Sequence, residues 1–428
     1  MRRSRFAQAG FIILFAAGCS SPGSPASSAS IPLSASPGPT AVASSAPPAA
    51  SPDPTQSPGA SPSSTPATTA SGWQQVPAQP ALDAAQTSLV VWTGQRFLAA
   101  GLLDDGSTAI LDSNDGQTWH TQAGFGPGAR ILKFSVGPAG ILALGAQDTH
   151  ARSWFSTDGL TWKAAPDSPA LRPARNDSIQ MADAVATPAG WLAVGQEVVS
   201  CEFDCGSWAA VRADVWTSKD GSSWTREPAS SALANAAMAG VVKGGPGYVA
   251  AGSAPDKATN TEGPVHAVVW TSADGHSWTR VKDAPVFHAP ADTDQSFGAS
   301  ISAIATDGNR IVAVGTVPSQ DEVNSALAWW SDDGRTWQRG TGERFHYGQL
   351  WNVASVPGGF LGTGPSGPDS CLGGIWSSAD GTTWSCIAAD APFNGSVAAD
   401  AAASPTVELV VGYDPSGGAS ILWTRPVP

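Results

Sequence analysis

The densest group of side chains that could do chemistry in this chain lies in one short segment, ERFHYGQ. It contains a carboxylate, a guanidinium, an imidazole and a phenol, carried by Glu343, Arg344, His346 and Tyr347. A carboxylate and a phenol within hydrogen-bond reach could form a nucleophile or move a proton. Tyr347 would need Glu343 or the distant Asp183 as its partner. The alternative interpretation is an ordinary solvated loop.

Other motifs that carry chemistry have no support in the sequence. The six His residues are scattered, at positions 120, 150, 266, 276, 288 and 346, without the paired spacing of metal ligands. The chain has no P-loop, no dinucleotide fingerprint and no G-x-S-x-G elbow. We therefore expect neither a metal site nor a cofactor.

The elements that must position these residues are set by a repeat. The phrase S-x-D-G-x-[ST]-W occurs six times, ending at Trp119, Trp162, Trp224, Trp278, Trp337 and Trp384. Its copies are 43 to 62 residues apart, close to the period of propeller blades and solenoids. An apolar run that ends in Gly, such as GWLAVG, lies upstream of each hairpin, and another strand-like run precedes it. Four antiparallel strands per repeat predict a propeller blade.

Each copy of the phrase predicts a β-hairpin turn. D-G between two strand-like runs is a strong hairpin signal, and Gly accepts the positive φ that the turn requires. The Asp carboxylate can accept backbone N–H groups of its own turn, and the Trp can pack between neighbouring sheets. We therefore predict a structural role, and not a catalytic one, for the six Asp residues: Asp115, Asp158, Asp220, Asp274, Asp333 and Asp380.

The number of blades follows from the two ends of the repeat region. Seven inner-strand pairs can be counted, but the seventh, Ser396 to Gly412, continues into ILWTRPVP and lacks its last strand. SGWQQVP, from Ser71 to Pro77, looks like the second half of a hairpin. We predict that it pairs with the strand around Trp423. The fold would then be all-β, a seven-bladed propeller of four-stranded antiparallel blades without a long free edge.

The six phrases resemble the Asp-box (bacterial neuraminidase) repeat, shortened by one residue between Asp and Gly. The resemblance covers the chain from Ser71 onward and implies a sialidase-like propeller with the boxes on its outer rim, remote from the ligand end. A sialidase-type enzyme would also need three Arg, a Tyr–Glu nucleophile pair and an Asp acid. The first blade lacks the family's Arg-Ile-Pro motif. Of the three Tyr residues, Tyr248 is predicted in a core strand and Tyr413 in a loop. Related repeats also occur in secreted propellers that hydrolyse nothing.

Aligning the repeats on the inner-strand Gly predicts two polar rings around the propeller axis. The first ring comprises Gln86, Arg130, Gln180, Ala237, Ser300 and Gln349. The second, three residues further along, comprises Lys133, Asp183, Asn352 and Asp400. Because innermost strands line the axis, both rings are candidates for a binding channel; the alternative is that they merely solvate it. Insertions at 197–214, 254–265 and 318–325 decorate blades three to five, where Trp208 could be a stacking platform or cover a disulfide.

The first 70 residues predict an export signal followed by a linker. MRRSRFAQAGFIILFAAGC has a basic start, an apolar stretch too short to span a membrane and a lipobox-like end. We expect a signal peptide over 1–18 and a lipid on Cys19, with an ordinary signal peptide as the alternative. Residues 19–70 are rich in Ser, Pro and Ala and predict a disordered linker, which leaves 71–428 for the propeller.

Charge and cysteine content limit the partners and the compartment. The formal net charge is −13, and an acidic surface disfavours nucleic acid as a partner. Besides Cys19 the chain has four Cys residues, an even number that suggests two disulfides in an exported protein. Three connectivities are possible, of which we favour the local pairs Cys201–Cys205 and Cys371–Cys386.

These observations predict an exported, monomeric propeller, anchored by lipid on the extracytoplasmic face of the cell membrane. We expect it to bind an envelope protein or a glycan without catalysis. Two alternatives stay open: a secreted sialidase-type glycoside hydrolase, and a scaffold for assembly of a membrane complex.

Overall fold

A computed structural model describes residues 72–427, apart from residues 175–177, 199–209, 257–262, 321–323, 366–370, 372, 388–395 and 417. In this part of the chain the elements are short strands, and the only helical segments are the one-turn helix α1 (Pro80–Asp83) and 3-10 turns at Pro169–Leu171 and Pro285–Phe287. None of the described helices is long and apolar enough to cross a bilayer. The predicted signal peptide, Cys19 and the linker lie outside the described residues.

The strands form seven sheets, and each sheet is one blade. The chain enters with β1 (Gln74–Gln75). Blades one and two comprise β2 (Gln86–Trp92), β3 (Phe97–Leu102), β4 (Thr108–Ser113), β5 (His120–Phe125), β6 (Ala129–Gly137), β7 (Gly140–Gln147), β8 (His150–Ser156) and β9 (Lys163–Ala164). Blades three and four comprise β10 (Ser178–Thr187), β11 (Gly190–Val198), β12 (Ala210–Ser218), β13 (Trp224–Arg226), β14 (Ala237–Gly244), β15 (Gly247–Pro255), β16 (Val265–Ser272) and β17 (Thr279–Arg280).

Blades five to seven follow the same order. Blade five comprises β18 (Ser300–Thr306), β19 (Ile311–Val317), β20 (Ser325–Ser331) and β21 (Gln338–Arg339). Blade six comprises β22 (Thr341–Gly342), β23 (Asn352–Val356), β24 (Gly359–Thr363), β25 (Ile375–Ser378) and β26 (Thr383–Cys386). Blade seven comprises β27 (Val397–Ala403), β28 (Val407–Tyr413), β29 (Ser420–Pro426) and β1. In blade six, β22 adds a fifth strand, parallel to β26, at the outer edge.

The ring closes through both ends of the described chain. β1 is the outermost strand of blade seven and pairs antiparallel with β29, with Gln75 opposite Trp423. One residue later, the N–H of Val76 donates to the Leu422 carbonyl at 2.8 Å. Trp73 has no exposed surface. The predicted seven-bladed propeller and its two-terminus seam are therefore confirmed.

The apolar core is divided into layers between successive blades. Ala, Val, Ile and Leu of the inner strands and Trp of the outer strands fill each layer, because both faces of an inner blade must be buried. The layer between blades six and seven contains Trp73, Leu361 and Trp423, and the layer between blades seven and one contains Phe97 and Leu409. Sheet-to-sheet packing around a full circle makes the innermost strands a rigid lining of the axis.

The six D-G turns form the hydrogen bonds expected of them. In the fourth copy, Asp274 Oδ1 accepts the N–H groups of His276 and Ser277, both at 2.8 Å. Gly275 has φ = 80°, and its carbonyl accepts from the Trp278 indole at 3.1 Å. The two backbone N–H groups hold the pKa of Asp274 below its ordinary value. The Asp side chains thus organise their own turns.

One residue departs from its expected position. Tyr413, predicted in a loop, is the last residue of β28 and is 5% exposed. It packs with Trp351 and Val397, and burial raises the pKa of its hydroxyl to about 12. The strand continues one residue beyond the inner-strand Gly412 because Tyr413 still pairs with Ser420 and Val397. The loop prediction was wrong for this reason.

Candidate functional site

The two faces of the propeller differ in what they carry. The six D-G turns join the third and fourth strands of their blades and lie on one face. The innermost strands begin at the opposite face, and the second strands end there. Residues 199–209, 257–262 and 321–323 connect second to third strands in blades three to five, so their described flanks end at this second face. We call it the loop-bearing face.

The first predicted ring lies at the loop-bearing face. In several blades, the backbone carbonyl of the ring residue passes very close to the inner-strand Gly of the neighbouring strand. A Cβ on Gly145 would stand 1.9 Å from the Arg130 carbonyl oxygen, and one on Gly315 would stand 1.8 Å from that of Ser300. The same approach recurs between Gly364 and the carbonyl of Gln349. Only glycine allows this close passage of two strands. Arg130, Ser300 and Gln349 thus occupy equivalent positions in their blades, and the role of the ring in binding stays a prediction.

The second ring forms a hydrogen-bonded layer inside the axis. Lys133 Nζ, on blade two, reaches Asn352 Oδ1 on blade six at 3.4 Å. The Asn352 amide donates to Asp400 Oδ1 at 2.7 Å. Asp400 Oδ2 also accepts the N–H of Val90 on blade one at 3.0 Å. Since blades two and six are not neighbours, the Lys133 side chain crosses the axial space.

Asp183 occupies the same layer on blade three. Its Oδ2 accepts the N–H of Val241 on blade four at 3.0 Å, and its Oδ1 accepts that of Ala184 at 2.8 Å. Burial raises the pKa of both Asp183 and Asp400, and the positive charge of Lys133 opposes that rise. Each carboxylate ties its own blade to the next. The layer joins blades to one another, and whether its residues touch a ligand stays a prediction.

A pocket opens among blades two to five beside this layer. Its space, including the part open to solvent, is about 670 Å³. Four members of the first ring line it: Arg130, Gln180, Ala237 and Ser300. Gln86 and Gln349 belong to other blades and are not among the lining residues. Sequence alignment of the repeats thus located one wall of the pocket.

The second strands supply polar side chains that the sequence analysis missed. Gln196 and Ser253 line the pocket and are 3% and 2% exposed. Within the described residues, neither side chain has a hydrogen-bond partner. The repeat alignment could have identified them, because Gln196 and Ser253 each directly follow the inner-strand Gly. Blades one and two carry the apolar residues Leu102 and Ala146 at that position.

Blade three holds a second polar cluster near the loop-bearing face. The Arg226 guanidinium donates to Asp214 at 2.5 Å and to Glu197, and Arg212 donates to Glu197 at 3.0 Å. Burial raises the pKa of Asp214, against the effect of the Arg226 hydrogen bond. Arg226 also lies 5.9 Å from the ring centroid of Trp216. Two cations balance two carboxylates, so the cluster is a paired structural network.

In the ERFHYGQ segment, the Glu343 carboxylate and the Tyr347 hydroxyl do not contact each other. Glu343 follows the outer strand β22, and its Oε2 accepts the backbone N–H of Cys386 at 3.3 Å. Tyr347 is 42% exposed, with its ring 4.1 Å from that of His346. Among the described residues, neither Glu343 nor Asp183 hydrogen-bonds to Tyr347. Arg344 and Tyr347 both have positive φ, 55° and 68°, which marks a tight irregular turn.

Several histidine and cysteine residues make local contacts. The rings of His266 and His288 stack 5.1 Å apart, and His266 Nδ1 lies 2.9 Å from the Asp256 carboxylate. No group of three or more His, Cys, Asp or Glu in the described part of the chain is placed to hold a metal ion. The predicted disulfide Cys371–Cys386 is formed, with Cα atoms 5.5 Å apart. Cys201, Cys205 and Trp208 lie outside the described residues.

Comparison with known proteins gives structural neighbours only. No family model and no curated protein matches the chain. The Trypanosoma rangeli sialidase is 14% identical, with a TM-score of 0.43, and the match covers 73% of this chain and 56% of the sialidase. Its complex with the inhibitor DANA is 15% identical, with a TM-score of 0.40, over 80% and 55%. The SapL1 lectin in complex with alpha methyl fucoside is 16% identical, with a TM-score of 0.41, over 71% and 94%. This chain therefore spans about half the length of the sialidases that it matches.

Proposed function

We propose that this chain is an exported, lipid-anchored propeller that binds an envelope protein or a glycan on its loop-bearing face and does no catalysis. The observation that carries the proposal is the pocket at that face, lined by polar side chains that form no hydrogen bond to another described residue. Binding sites are commonly built this way, as a preformed hollow on a rigid scaffold with a few convergent polar groups. The anchor on Cys19 rests on the sequence alone.

The contacts of the ERFHYGQ segment support a binding role over a hydrolytic one. A hydrolase of the sialidase type would pair Tyr347 with a carboxylate, but the Glu343 carboxylate is bonded to the backbone at the outer edge of blade six. The Asp183 carboxylate is bonded to two backbone N–H groups in the axis. Both acids already have the partners that a buried or half-buried carboxylate needs.

In-cell crosslinking of the full chain, followed by capture and mass spectrometry, tests the proposal. Arg130→Glu changes the loop-bearing face, and Lys219→Glu, in a D-G turn, is the matched control on the opposite face. We expect Arg130→Glu to lose the crosslinked species and Lys219→Glu to keep them. Equal crosslinking by both variants and the wild type would contradict binding at this face. Cys19→Ser should move the chain from the membrane fraction to the soluble one.

A further inference from the structure

Acidic residues are concentrated in the connections of the loop-bearing face. In the sequence, the seven connections between second and third strands contain eleven Asp and Glu residues against one Lys, hence a net charge of −10. The formal charge of the whole chain is −13. No residue in the described parts of these connections is basic. Five of the acids lie in the described residues, on blades one, two, four and seven: Asp104, Asp105, Asp148, Asp256 and Asp414.

Several of the described acids are not neutralised by other residues. Asp104 and Asp148 form no ion pair or side-chain hydrogen bond with another described residue. The same holds for Asp292, in the connection from blade four to blade five at this face. All three are exposed. On the opposite face, by contrast, the Asp of each D-G turn accepts N–H groups of its own turn. Exposed carboxylates without a partner attract positive charge, so the loop-bearing face favours a cationic ligand.

The centre of the same face holds uncharged polar groups that are available to a partner. Gln196 and Ser253 are 3% and 2% exposed, line the pocket and form no side-chain hydrogen bond to another described residue. Thr316, at the equivalent position in blade five, is 7% exposed, and its hydroxyl has no hydrogen-bond partner. Leu102, at that position in blade one, is 48% exposed. An uncharged centre with a charged periphery is the usual arrangement of a protein–protein interface.

We infer that the loop-bearing face binds a basic segment of a partner protein, with Lys and Arg side chains on the acidic connections and one uncharged side chain in the pocket. This inference rests on the proposed function and selects a positively charged protein as the partner. The described acids come from four blades around the ring, so a ligand must span the face to contact them together, which a single small cation cannot do. Attraction of this kind raises association rate constants by about 10- to 1,000-fold and weakens steeply with salt.

Fluorescence anisotropy on the purified full chain tests the inference with a labelled Lys-Ala repeat peptide, and a Glu-Ala repeat peptide of the same length is the matched probe. We expect the Lys peptide to bind at least about tenfold more tightly at about 0.05 M salt and to lose most of this advantage at about 0.5 M salt. Asp104→Lys with Asp292→Lys, the rim variant, should weaken binding of the Lys peptide at least about tenfold. Asp104→Asn with Asp292→Asn, with half the charge change, should weaken it less, and unchanged thermal midpoints exclude misfolding.

The matched control adds the same charge to the opposite face. It combines four substitutions in the D-G turns, Asn114→Lys, Thr157→Lys, Ala273→Lys and Ala379→Lys. These positions are exposed and equivalent to Lys219 in the third turn, so each accepts a Lys. Like the rim variant, the control raises the formal charge by four, from −13 to −9. It should keep the affinity for the Lys peptide within about threefold, because charge on the far face acts only at long range.

Two results with the peptides would overturn the inference. One is equal binding of the Lys and Glu peptides, and the other is equal loss in the rim variant and the control, which would show an effect of net charge alone. In cells, the rim variant should lose the crosslinked species of the wild type. Capture of an amine-bearing glycan in place of a protein would also contradict the inference.

The Arg130→Glu variant separates this inference from the proposed function, because Arg130 lines the pocket and not the acidic connections. If Arg130→Glu loses the crosslinked species and the rim variant keeps them, the basic partner is wrong and the proposed binding face stands. If both variants keep the crosslinked species, both the inference and the proposed face fail.

Discussion

Replacement of Trp73 by Ala is predicted to open the seam of blade seven. Trp73 has no exposed surface and packs with Trp423 and Leu361 between blades six and seven. Truncation of a buried Trp to Ala costs about 3–5 kcal/mol. The Arg425 guanidinium lies 4.8 Å from the Trp73 ring centroid, so a cation–π contribution of about 0.5–1 kcal/mol is lost as well. We expect the free energy of unfolding to fall by about 3–6 kcal/mol.

The assay is equilibrium unfolding in urea, followed by far-ultraviolet circular dichroism. Trp384→Ala is the control, because Trp384 is equally buried but lies within blade six, away from the seam. Both variants should lose similar stability, and only Trp73→Ala should expose residues 72–76 to limited proteolysis under native conditions. A Trp73→Ala protein that unfolds at the wild-type urea concentration, beside a destabilised Trp384→Ala protein, would refute the seam.

Three other perturbations follow from the fold. Removal of the Cys371–Cys386 disulfide, which closes a loop of 15 residues, should lower the free energy of unfolding by about 3 kcal/mol in denaturant titrations, whereas an unchanged midpoint would show that the bridge is dispensable. Gly315→Ala should destabilise the fold by about 1–3 kcal/mol or more and lower the thermal midpoint, because the added Cβ would stand 1.8 Å from the Ser300 carbonyl oxygen. Gly126→Ala is the control and should be neutral, because a Cβ at that position has no other atom within 4 Å. The N–H groups of its turn lower the pKa of Asp333 from 3.8 to about 2. The ionised Asp333 side chain therefore stabilises the fold fully above about pH 4, and this stabilisation is lost as the pH falls toward 2. The stability difference between wild type and Asp333→Asn, measured by calorimetry, should shrink over that range and not widen.

Much of the scaffold could be predicted because each repeat encodes its own local geometry. The D-G pairs define the hairpins, and the inner-strand Gly defines where two strands approach each other most closely. That second marker was enough to place Arg130 and Gln180 at equivalent positions on adjacent blades. Local turn chemistry and strand spacing act over a few residues, so they are visible in a single sequence.

The contacts across the axis could not be predicted in the same way. Lys133 reaches Asn352, 219 positions later, because blade two faces blade six across the centre. No local pattern records which blades face each other, or which long side chain bridges them. Gln196 was missed for a different reason. The position after the inner-strand Gly is Leu102 in blade one and Ala146 in blade two, so the repeat pattern does not predict a polar pocket residue there.

The seam also makes the folding of blade seven depend on synthesis of the chain as far as β29. β1 is synthesised first among the described strands, and its partner β29 about 350 residues later. At about 5–20 residues per second, β1 waits tens of seconds for that partner. A chain that is interrupted before β29 leaves two sheet edges unpaired, which favours aggregation and proteolytic clearance. Only a chain that includes β29 pairs the edges of both β1 and β28. Ring closure therefore makes chains truncated before β29 more prone to aggregation and degradation than longer ones.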